Sequence, residues 1–263
     1  MKLGVLIAGA LAIIIAIVSA GIFVDYLMLP KSSTGPEVRV TPDIVSYNSY
    51  VESGTIDFYV TVGEVSNNFS NNVKSIRVNV TYYNEEDYIT GRSHGYTELG
   101  ILKPNQKAPF SVYKTLKSLI GIPARAELSC DALVTYEQPI DGIDITLKSN
   151  GTDEYGYYTI TGEIQNNGPS RASGIKVVCT YYDSEEDVTV VSHAYPSSPS
   201  LNVGSKSTFE LSSKPHMIKP SSYKLSIRVV SYEPILDLRY PLFFVLVVVF
   251  MTFILYMKKY KGW

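Results

Sequence analysis

The sequence has 263 residues, a length that suits one large domain or two domains of about 100 residues each. Its formal net charge is −2, so there is no excess of basic residues to indicate a nucleic-acid partner. The 21 tyrosines far outnumber the 9 phenylalanines and the single tryptophan, and they lie among Ser, Thr, Asn and Val, a combination typical of exposed β-sheet. We therefore expect an all-β protein located outside the cytoplasm.

The first 29 residues (1–29) predict a membrane-spanning helix. Residues 3–24 carry no charge and the apolar character resumes up to Leu29, which is enough helix to cross a hydrocarbon core of about 30 Å. The alternative is a signal peptide at 1–20, because residues 18–20 (Val-Ser-Ala) resemble a cleavage site. The uncleaved helix is favoured, since the apolar run is longer than the core of an ordinary signal peptide.

Residues 240–257 form a second uncharged, apolar segment, which is followed by the basic tail 258–263. The three lysines of this tail place the C-terminus in the cytoplasm by the positive-inside rule. With two crossings, both termini are cytoplasmic and residues of about 30–239 are extracytoplasmic. The predicted localisation is the cell membrane, with the lipid bilayer as one partner.

The segment between these helices contains an internal duplication. A shift of 99 positions places residues 63–83 on residues 162–182 without a gap, and 9 of the 21 pairs are identical. This period is much longer than that of solenoid or propeller repeats. It predicts, after a linker at 30–43, two globular repeats at 44–138 and 139–235.

Each repeat shows the two-residue period of half-buried strands. In residues 76–83, apolar side chains at even positions alternate with polar ones and Tyr83, and residues 175–182 repeat the pattern. Further strands are expected at 55–65, 109–115, 126–136, 156–164, 207–212 and 223–232. Turn-forming residues separate these runs at the spacing of an antiparallel sandwich. The predicted fold class is all-β, with two tandem antiparallel immunoglobulin-like β-sandwiches between two transmembrane helices.

The order of these motifs resembles a known type of domain. Gly-Glu-Val or Gly-Glu-Ile precedes Asn-Asn in both repeats, and a strand ending in Tyr-Tyr-Asn or Tyr-Tyr-Asp follows. This order is similar to that of FxLYD-type and adhesion-related immunoglobulin-like domains of bacterial and archaeal envelope proteins. The residues at the name-giving positions are Val80, Tyr82, Tyr83 and Asn84 in one copy, and Cys179, Tyr181, Tyr182 and Asp183 in the other. The resemblance implies a β-sandwich in each repeat and, as in most members, no catalysis.

No catalytic, metal or cofactor site is predicted. The acidic runs 85–87 and 185–187 offer oxygen ligands to calcium, but neither has the spacing of a calcium loop, so solvated hairpin turns are favoured. His94 and His193 occupy equivalent positions, yet a zinc or copper site needs three or four nearby ligands. Residues 215–217 (Pro-His-Met) suggest a copper-binding loop but have no counterpart in the first repeat. No nucleophile elbow or phosphate loop occurs, so we expect no enzyme activity.

Cysteines and sequons complete the candidate sites. Cys130 and Cys179 alternate with apolar residues, so each is predicted to be buried in its own core without forming a disulfide. Asn68, Asn79 and Asn150 begin N-x-S/T sequons and are candidate glycosylation sites.

The expected function follows from this architecture. We expect a non-catalytic, membrane-anchored extracytoplasmic scaffold or adhesion protein that uses Tyr83 and Tyr182 as a repeated interaction surface for a protein partner in the membrane or envelope. The alternative is an accessory subunit of a larger membrane enzyme or transporter, packed through its two helices.

The linker 138–141 is short and contains Pro139, so we expect a semi-rigid pair of repeats. The sequence leaves the oligomeric state open.

Overall fold

The computed structural model describes residues 37–213, 220–232 and 254. This part of the chain is all-β, with several antiparallel sheets, and its residues from Val38 onwards belong to one compact unit. No helix among these residues is long and apolar enough to cross a membrane. The predicted spans at 1–29 and 240–257 lie outside the described residues, apart from position 254.

The first repeat forms two antiparallel sheets. Its strands are β1 (Arg39–Val40), β2 (Asp43–Glu52), β3 (Phe58–Ser66), β4 (Asn72–Tyr83), β5 (Ile89–Tyr96), β6 (Ile101–Leu102), β7 (Lys107–Thr115) and β8 (Arg125–Thr135). One sheet has the order β1-β8-β4-β5, with β6 also paired to β4, and is called the outer sheet of repeat 1. The other has the order β2-β3-β7 and is called the inner sheet of repeat 1. A 3-10 turn, Leu116–Ser118, follows β7.

The second repeat is built in the same way. Its strands are β9 (Ile143–Thr152), β10 (Tyr158–Asn166), β11 (Ala172–Ser173), β12 (Lys176–Tyr182), β13 (Val188–Ala194), β14 (Ser200–Leu201), β15 (Lys206–Ser212), β16 (Ser222–Arg228) and β17 (Ser231–Tyr232). The inner sheet of repeat 2 has the order β13-β12-β16, and the outer sheet has the order β15-β10-β9. A small third sheet joins β14, β11 and β17.

Each of the eight segments predicted as strands overlaps a strand of the structure. The alternation in β4 is confirmed, since Ile76, Val78, Val80 and Tyr82 are all buried. The strand predicted at 55–65 begins only at Phe58, and the one predicted at 223–232 is interrupted after Arg228. The sequence analysis did not predict β2, β5, β9 or β13, which are edge strands of their sheets.

In each repeat, the inner and outer sheets enclose one apolar core. Cys130 belongs to the core of repeat 1 and Cys179 to that of repeat 2, and both are free thiols, as predicted. Burial raises the pKa of each thiol to about 12, so both thiols stay protonated at neutral pH.

The repeated Gly-Glu motif has a packing reason. Gly63 on β3 lies opposite Phe110 on β7, and a Cβ atom at Gly63 would lie 2.6 Å from the phenylalanine ring. Gly162 and Phe209 repeat this contact, also at 2.6 Å. Any larger residue would displace the ring from the core, so both glycines are required by close packing.

The repeated Asn-Asn motif places one buried asparagine in each repeat. The Asn67 amide donates to the carbonyls of Asn71 (2.8 Å) and Leu102 (3.0 Å), and its oxygen accepts from the Phe69 N–H (3.1 Å). Asn166 makes the equivalent contacts to Ser170 and Leu201 (both 2.8 Å) and from Gly168 (2.9 Å). Each asparagine therefore joins two loops that are distant in sequence and satisfies their buried backbone groups.

Replacing either asparagine tests this role. We expect Asn67→Ala and Asn166→Ala each to lower the free energy of unfolding by about 2–4 kcal/mol, because three hydrogen bonds are lost and buried backbone groups are left unpaired. Urea titration followed by far-UV circular dichroism measures the change. The neighbouring exposed Asn68→Ala is the control, with an expected change within about 0.5 kcal/mol. Equal effects at Asn67 and Asn68 would contradict the assignment.

The inner sheets of the two repeats pack against each other. The apolar contact between them consists of Val60, Val62, Val178, Val188 and Val191, with Tyr50, Phe58 and Tyr182 at its margin. Strand β3 is consequently buried on both faces, so it shows no alternation of burial between Tyr59 and Val65. The structure therefore stacks four sheets, and the central strands of the two inner ones, β3 and β12, are buried on both faces.

The duplication is broken at this contact. At the shift of 99 positions, four of the five valines have polar equivalents, and only Val188 has an apolar one, Ile89. The four differing pairs are Val60 and Thr159, Val62 and Thr161, Asn79 and Val178, and Arg92 and Val191. The inner sheet of repeat 1 corresponds in sequence to the outer sheet of repeat 2, and the reverse also holds. Each repeat therefore presents one apolar face to its neighbour, while the equivalent face of the other copy is mostly polar and ends the stack.

Three polar contacts align the repeats. Tyr182 donates a hydrogen bond to Glu64 at 2.8 Å, and the Val188 N–H donates to the Ser46 hydroxyl at 3.2 Å. Lys176 pairs with Glu98, and each side chain is only 13% exposed. Desolvation offsets most of the attraction in such a pair, whereas each buried valine contributes about 1.5 kcal/mol or more. The valines therefore stabilise the contact, and the polar groups set its alignment.

Each repeat begins and ends at the same pole. In repeat 1, the Val134 N–H donates to the Val38 carbonyl at 2.9 Å, so the incoming chain lies beside the outgoing strand β8. In repeat 2, the hydroxyl of Tyr232, in the last strand, donates to the carbonyl of Asp141 in the linker. The opposite pole of repeat 1 is formed by hairpin turns and by the connection that follows β7.

Candidate interaction site

The loop at 116–124 closes the pole of repeat 1 that lies opposite its chain ends. Leu119 turns inward and joins the apolar core. Backbone hydrogen bonds tie the loop to three neighbouring segments, from Leu116 N–H to Asp57, from Ile120 N–H to Thr90 and from Ala124 N–H to Tyr83. The loop is therefore a fixed part of the repeat, held by one buried side chain and by backbone contacts to both sheets.

Large apolar side chains are exposed around this loop. Ile120 is 81% exposed and Ile122 is 72% exposed, on either side of Gly121, whose φ of 89° favours glycine. Ile56 and Tyr88, in neighbouring turns, and Ile89, at the start of β5, are also exposed. These five residues are called the apolar loop tip. Clustered exposed apolar side chains on a well-packed domain mark surfaces that bind another molecule.

Charged groups border the apolar loop tip. The Asn84 side-chain oxygen accepts from the backbone N–H groups of Glu86 (3.1 Å) and Tyr88 (2.9 Å), which folds the β4–β5 hairpin into a tight turn. Glu85 and Glu86 are exposed and form no ion pair within the described residues. Asp87 is paired with Arg125 at 2.8 Å. The rim on the hairpin side is therefore acidic, with two carboxylates that are unpaired in the described part of the chain.

The acidic runs are hairpin turns in both repeats. Asp183 accepts from the N–H groups of Glu185 (2.9 Å) and Asp187 (3.0 Å), as Asn84 does in the first copy. In the described ranges, no group of three or more His, Cys, Asp or Glu residues is placed to hold a metal ion. His94 and His193 each stack edge-on against a tyrosine two residues later. Residues 215–217 lie outside the described ranges.

Tyr83 lies on the exposed face of the outer sheet of repeat 1. Its hydroxyl donates to Glu127 at 3.0 Å, and the Arg125 guanidinium lies 4.0 Å from its ring centre. The hydrogen bond to Glu127 raises the pKa of the Tyr83 hydroxyl. As part of a surface for an outside partner, Tyr83 stays a prediction.

Tyr182, its equivalent, lies between the repeats. Its ring packs at the margin of the valine contact and its hydroxyl donates to Glu64, which is 2% exposed. Burial, followed by the hydrogen bond to Glu64, raises the pKa of the Tyr182 hydroxyl above its ordinary value. The two tyrosines predicted to form one repeated surface thus contact different surroundings, and Tyr182 is used within the chain.

The three sequons lie in different environments. Asn68 is exposed in the loop between β3 and β4. Asn79 lies within strand β4 and donates to Asp131 at 3.1 Å. Asn150 lies within strand β9, where it donates to the Tyr223 hydroxyl at 2.9 Å. Only Asn68 of the three therefore lies in a loop.

A cleft of about 550 Å³ lies where the linker meets both repeats. Its lining includes Lys74, Glu137, Asp141 and Arg228. Lys74 pairs with Glu137, and Asp141 pairs with Lys103 at 2.6 Å, so these charges fix the linker against repeat 1. This arrangement agrees with the short linker predicted from the sequence.

The sequence analysis missed Ile120 and Ile122. Both stand in the run Leu-Ile-Gly-Ile-Pro, where Gly and Pro indicate a loop. Three large aliphatic residues in a loop are a detectable signal, but the sequence does not say which of them turn inward. The structure buries Leu119 and exposes the other two.

No protein-family model and no curated protein matches the sequence. Among solved structures, a chain of red sea bream transglutaminase is 7% identical, with a TM-score of 0.23, over 72% of this chain and 30% of that chain. A chain of Bacteroides uniformis β-glucuronidase 2 is 12% identical, with a TM-score of 0.22, over 74% of this chain and 31% of that one. This protein thus spans less than a third of either chain. Similarities this weak assign no function.

The pH dependence of stability tests the Tyr182–Glu64 contact. Tyr182→Phe removes the donor to a buried carboxylate, and we expect a loss of about 1–3 kcal/mol at pH 7. Above about pH 10 the unfolded chain releases the Tyr182 proton while the folded chain retains it, so the wild type loses stability as pH rises. The variant lacks this loss, and the stability difference should shrink between pH 9 and pH 11.

The equivalent Tyr83→Phe is the matched control, and it should change stability little at any pH, because its partner Glu127 is exposed. Denaturant titrations of both variants across this pH range provide the measurement. A constant difference for Tyr182→Phe would contradict a hydroxyl that is both buried and hydrogen-bonded to Glu64.

Proposed function

We propose that this protein is a non-catalytic, membrane-anchored extracytoplasmic protein that binds a protein partner through the apolar loop tip. The observation that carries the proposal is the exposure of four isoleucines and one tyrosine at the pole of repeat 1 opposite its chain ends. A domain tethered at one pole presents the other pole to its surroundings, and binding residues commonly lie on loops held by a rigid scaffold.

The wider architecture is part of the proposal. Two tandem immunoglobulin-like sandwiches of the FxLYD type would stand between transmembrane helices at 1–29 and 240–257, with both termini cytoplasmic and residues of about 30–239 outside. Support comes from the position of the chain ends, since Val38 and Tyr232 both lie at the linker poles of their repeats. Two helices that leave neighbouring poles reach one membrane without crossing the length of either repeat.

The chemistry of the tip indicates the chemistry of its partner. Aliphatic side chains beside the free carboxylates of Glu85 and Glu86 fit an apolar pocket with a basic rim. In such an interface, the apolar residues supply most of the affinity, while the charges set the orientation and the rate of association. The inter-repeat contact keeps repeat 2 on the inner sheet of repeat 1, away from the outer sheet, whose face stays open for additional contacts.

Photo-crosslinking of the full chain in its native membranes tests the proposal. A benzophenone amino acid at position 120 should give a discrete protein adduct, and the same group at the exposed Val203 of repeat 2 should not. Adding Ile122→Ser should reduce the adduct by about tenfold, since truncating a central apolar residue of an interface costs on the order of 1–2 kcal/mol. Glu85→Lys with Glu86→Lys should reduce it through charge repulsion.

The control Val203→Ser removes an exposed apolar side chain elsewhere and should leave the adduct unchanged. Adducts with lipid at position 120 would show that the tip binds a membrane surface instead. An adduct that survives all the tip substitutions, but disappears when 240–257 is replaced by an unrelated apolar segment, would favour the accessory-subunit alternative.

A further inference from the structure

The sequon at Asn68 has an acceptor geometry that the other two sequons lack. Phe69, the middle residue of the triplet, packs against the core of repeat 1 and is partly buried. Its neighbours Asn68 and Ser70 are consequently both exposed. Within the described residues, neither side chain makes a hydrogen bond. The hydrogen bonds of the buried Asn67 fix the backbone of this loop. The amide of Asn68 and the hydroxyl of Ser70 therefore both face solvent.

Asn79 is placed less favourably for modification. It lies in a central strand, paired on one side with β8 and on the other with β5. Its amide nitrogen donates to Asp131 at 3.1 Å, and the side chain is half-buried. A transferase would have to break this hydrogen bond and reach a flat sheet face, because no strand end or loop brings the amide out.

Asn150 is exposed, but both ends of its amide are engaged. The nitrogen donates to the Tyr223 hydroxyl at 2.9 Å, and the oxygen accepts from the Tyr158 hydroxyl at 3.2 Å. The residue lies in strand β9, which is paired with β10 along one edge. Sequon attack requires the amide nitrogen to be free, so these contacts oppose it in the folded chain.

We propose that Asn68 is the one N-glycosylation acceptor of the folded chain among these three sequons. The donor is a lipid-phosphate-linked oligosaccharide. The bond between C1 of the first sugar and the phosphate oxygen breaks, and the lipid phosphate leaves with the electron pair. A new bond joins C1 to Nδ2 of Asn68, and the amide proton passes to a base of the transferase.

The position of this glycan agrees with the proposed function without depending on it. Asn68 follows Asn67 and lies at the pole where the chain enters and leaves repeat 1. The apolar loop tip is at the opposite pole. A glycan on Asn68 would therefore shield the chain ends and leave the tip open to a partner.

Glycosylation of the purified, folded full chain tests the inference. The protein in mild detergent is incubated with a purified oligosaccharyltransferase and a short lipid-phosphate-linked oligosaccharide, and glycopeptides are mapped by mass spectrometry. We expect Asn68 to be modified at least about tenfold faster than Asn79 or Asn150, because hydrogen bonds hold the other two amides. Asn68→Gln should abolish the main product, and Asn79→Gln and Asn150→Gln should leave it unchanged.

The same reaction on the urea-unfolded chain, diluted immediately before the assay, is the control for the fold. There all three sequons should react at comparable rates. Comparable rates in the folded chain, or a folded chain that is unmodified at Asn68 while the unfolded chain reacts there, would overturn the inference. Since the assay uses neither cells nor a partner, its failure would not count against the proposed function.

Discussion

The structure depends on the contact between the two inner sheets. A duplicated domain starts with equal surfaces on both copies, yet a stable two-repeat unit needs one apolar face on each copy and polar faces at both ends of the stack. Valines on β3 meet valines on β12 and β13, while the equivalent outer faces carry threonine, asparagine and arginine. Burial of this contact makes the described part of both repeats one compact unit.

That contact also determines which repeated residues remain available to an outside partner. Tyr182 is used between the repeats, whereas Tyr83 remains on the open outer face. The two most exposed large aliphatic side chains of repeat 1, Ile120 and Ile122, lie at its loop tip, outside the contact with repeat 2. The body of repeat 1, which supports the tip, is held together by the same contacts as repeat 2. A buried asparagine joins the loops at one pole, and a glycine admits a phenylalanine ring into the core.

Several of these features could be predicted from residues alone, and others could not. Strand β4 was predictable because Ile76, Val78, Val80 and Tyr82 alternate with polar residues. Four edge strands were missed, and one of them, β9, shows why: it faces solvent on most of its surface and has no alternation of buried apolar residues. Val60 and Val62 are recognisable as apolar strand residues in the sequence, but only the packing of repeat 2 shows what they contact. Ile120 and Ile122 were missed because a loop has no periodicity that separates inward from outward side chains.

The sequence by itself determined the duplication, the all-β character and the separate burial of the two cysteines. These three features follow from local alternation and from comparing one half of the chain with the other. None of them requires knowledge of long-range contacts. Only the tertiary structure decided which faces of the repeats meet, why Tyr83 and Tyr182 have different roles, and which sequon amide is free. These depend on side chains that are distant in sequence, such as Glu64 with Tyr182 and Asn150 with Tyr223, and the pairing of such groups arises only when the sheets pack.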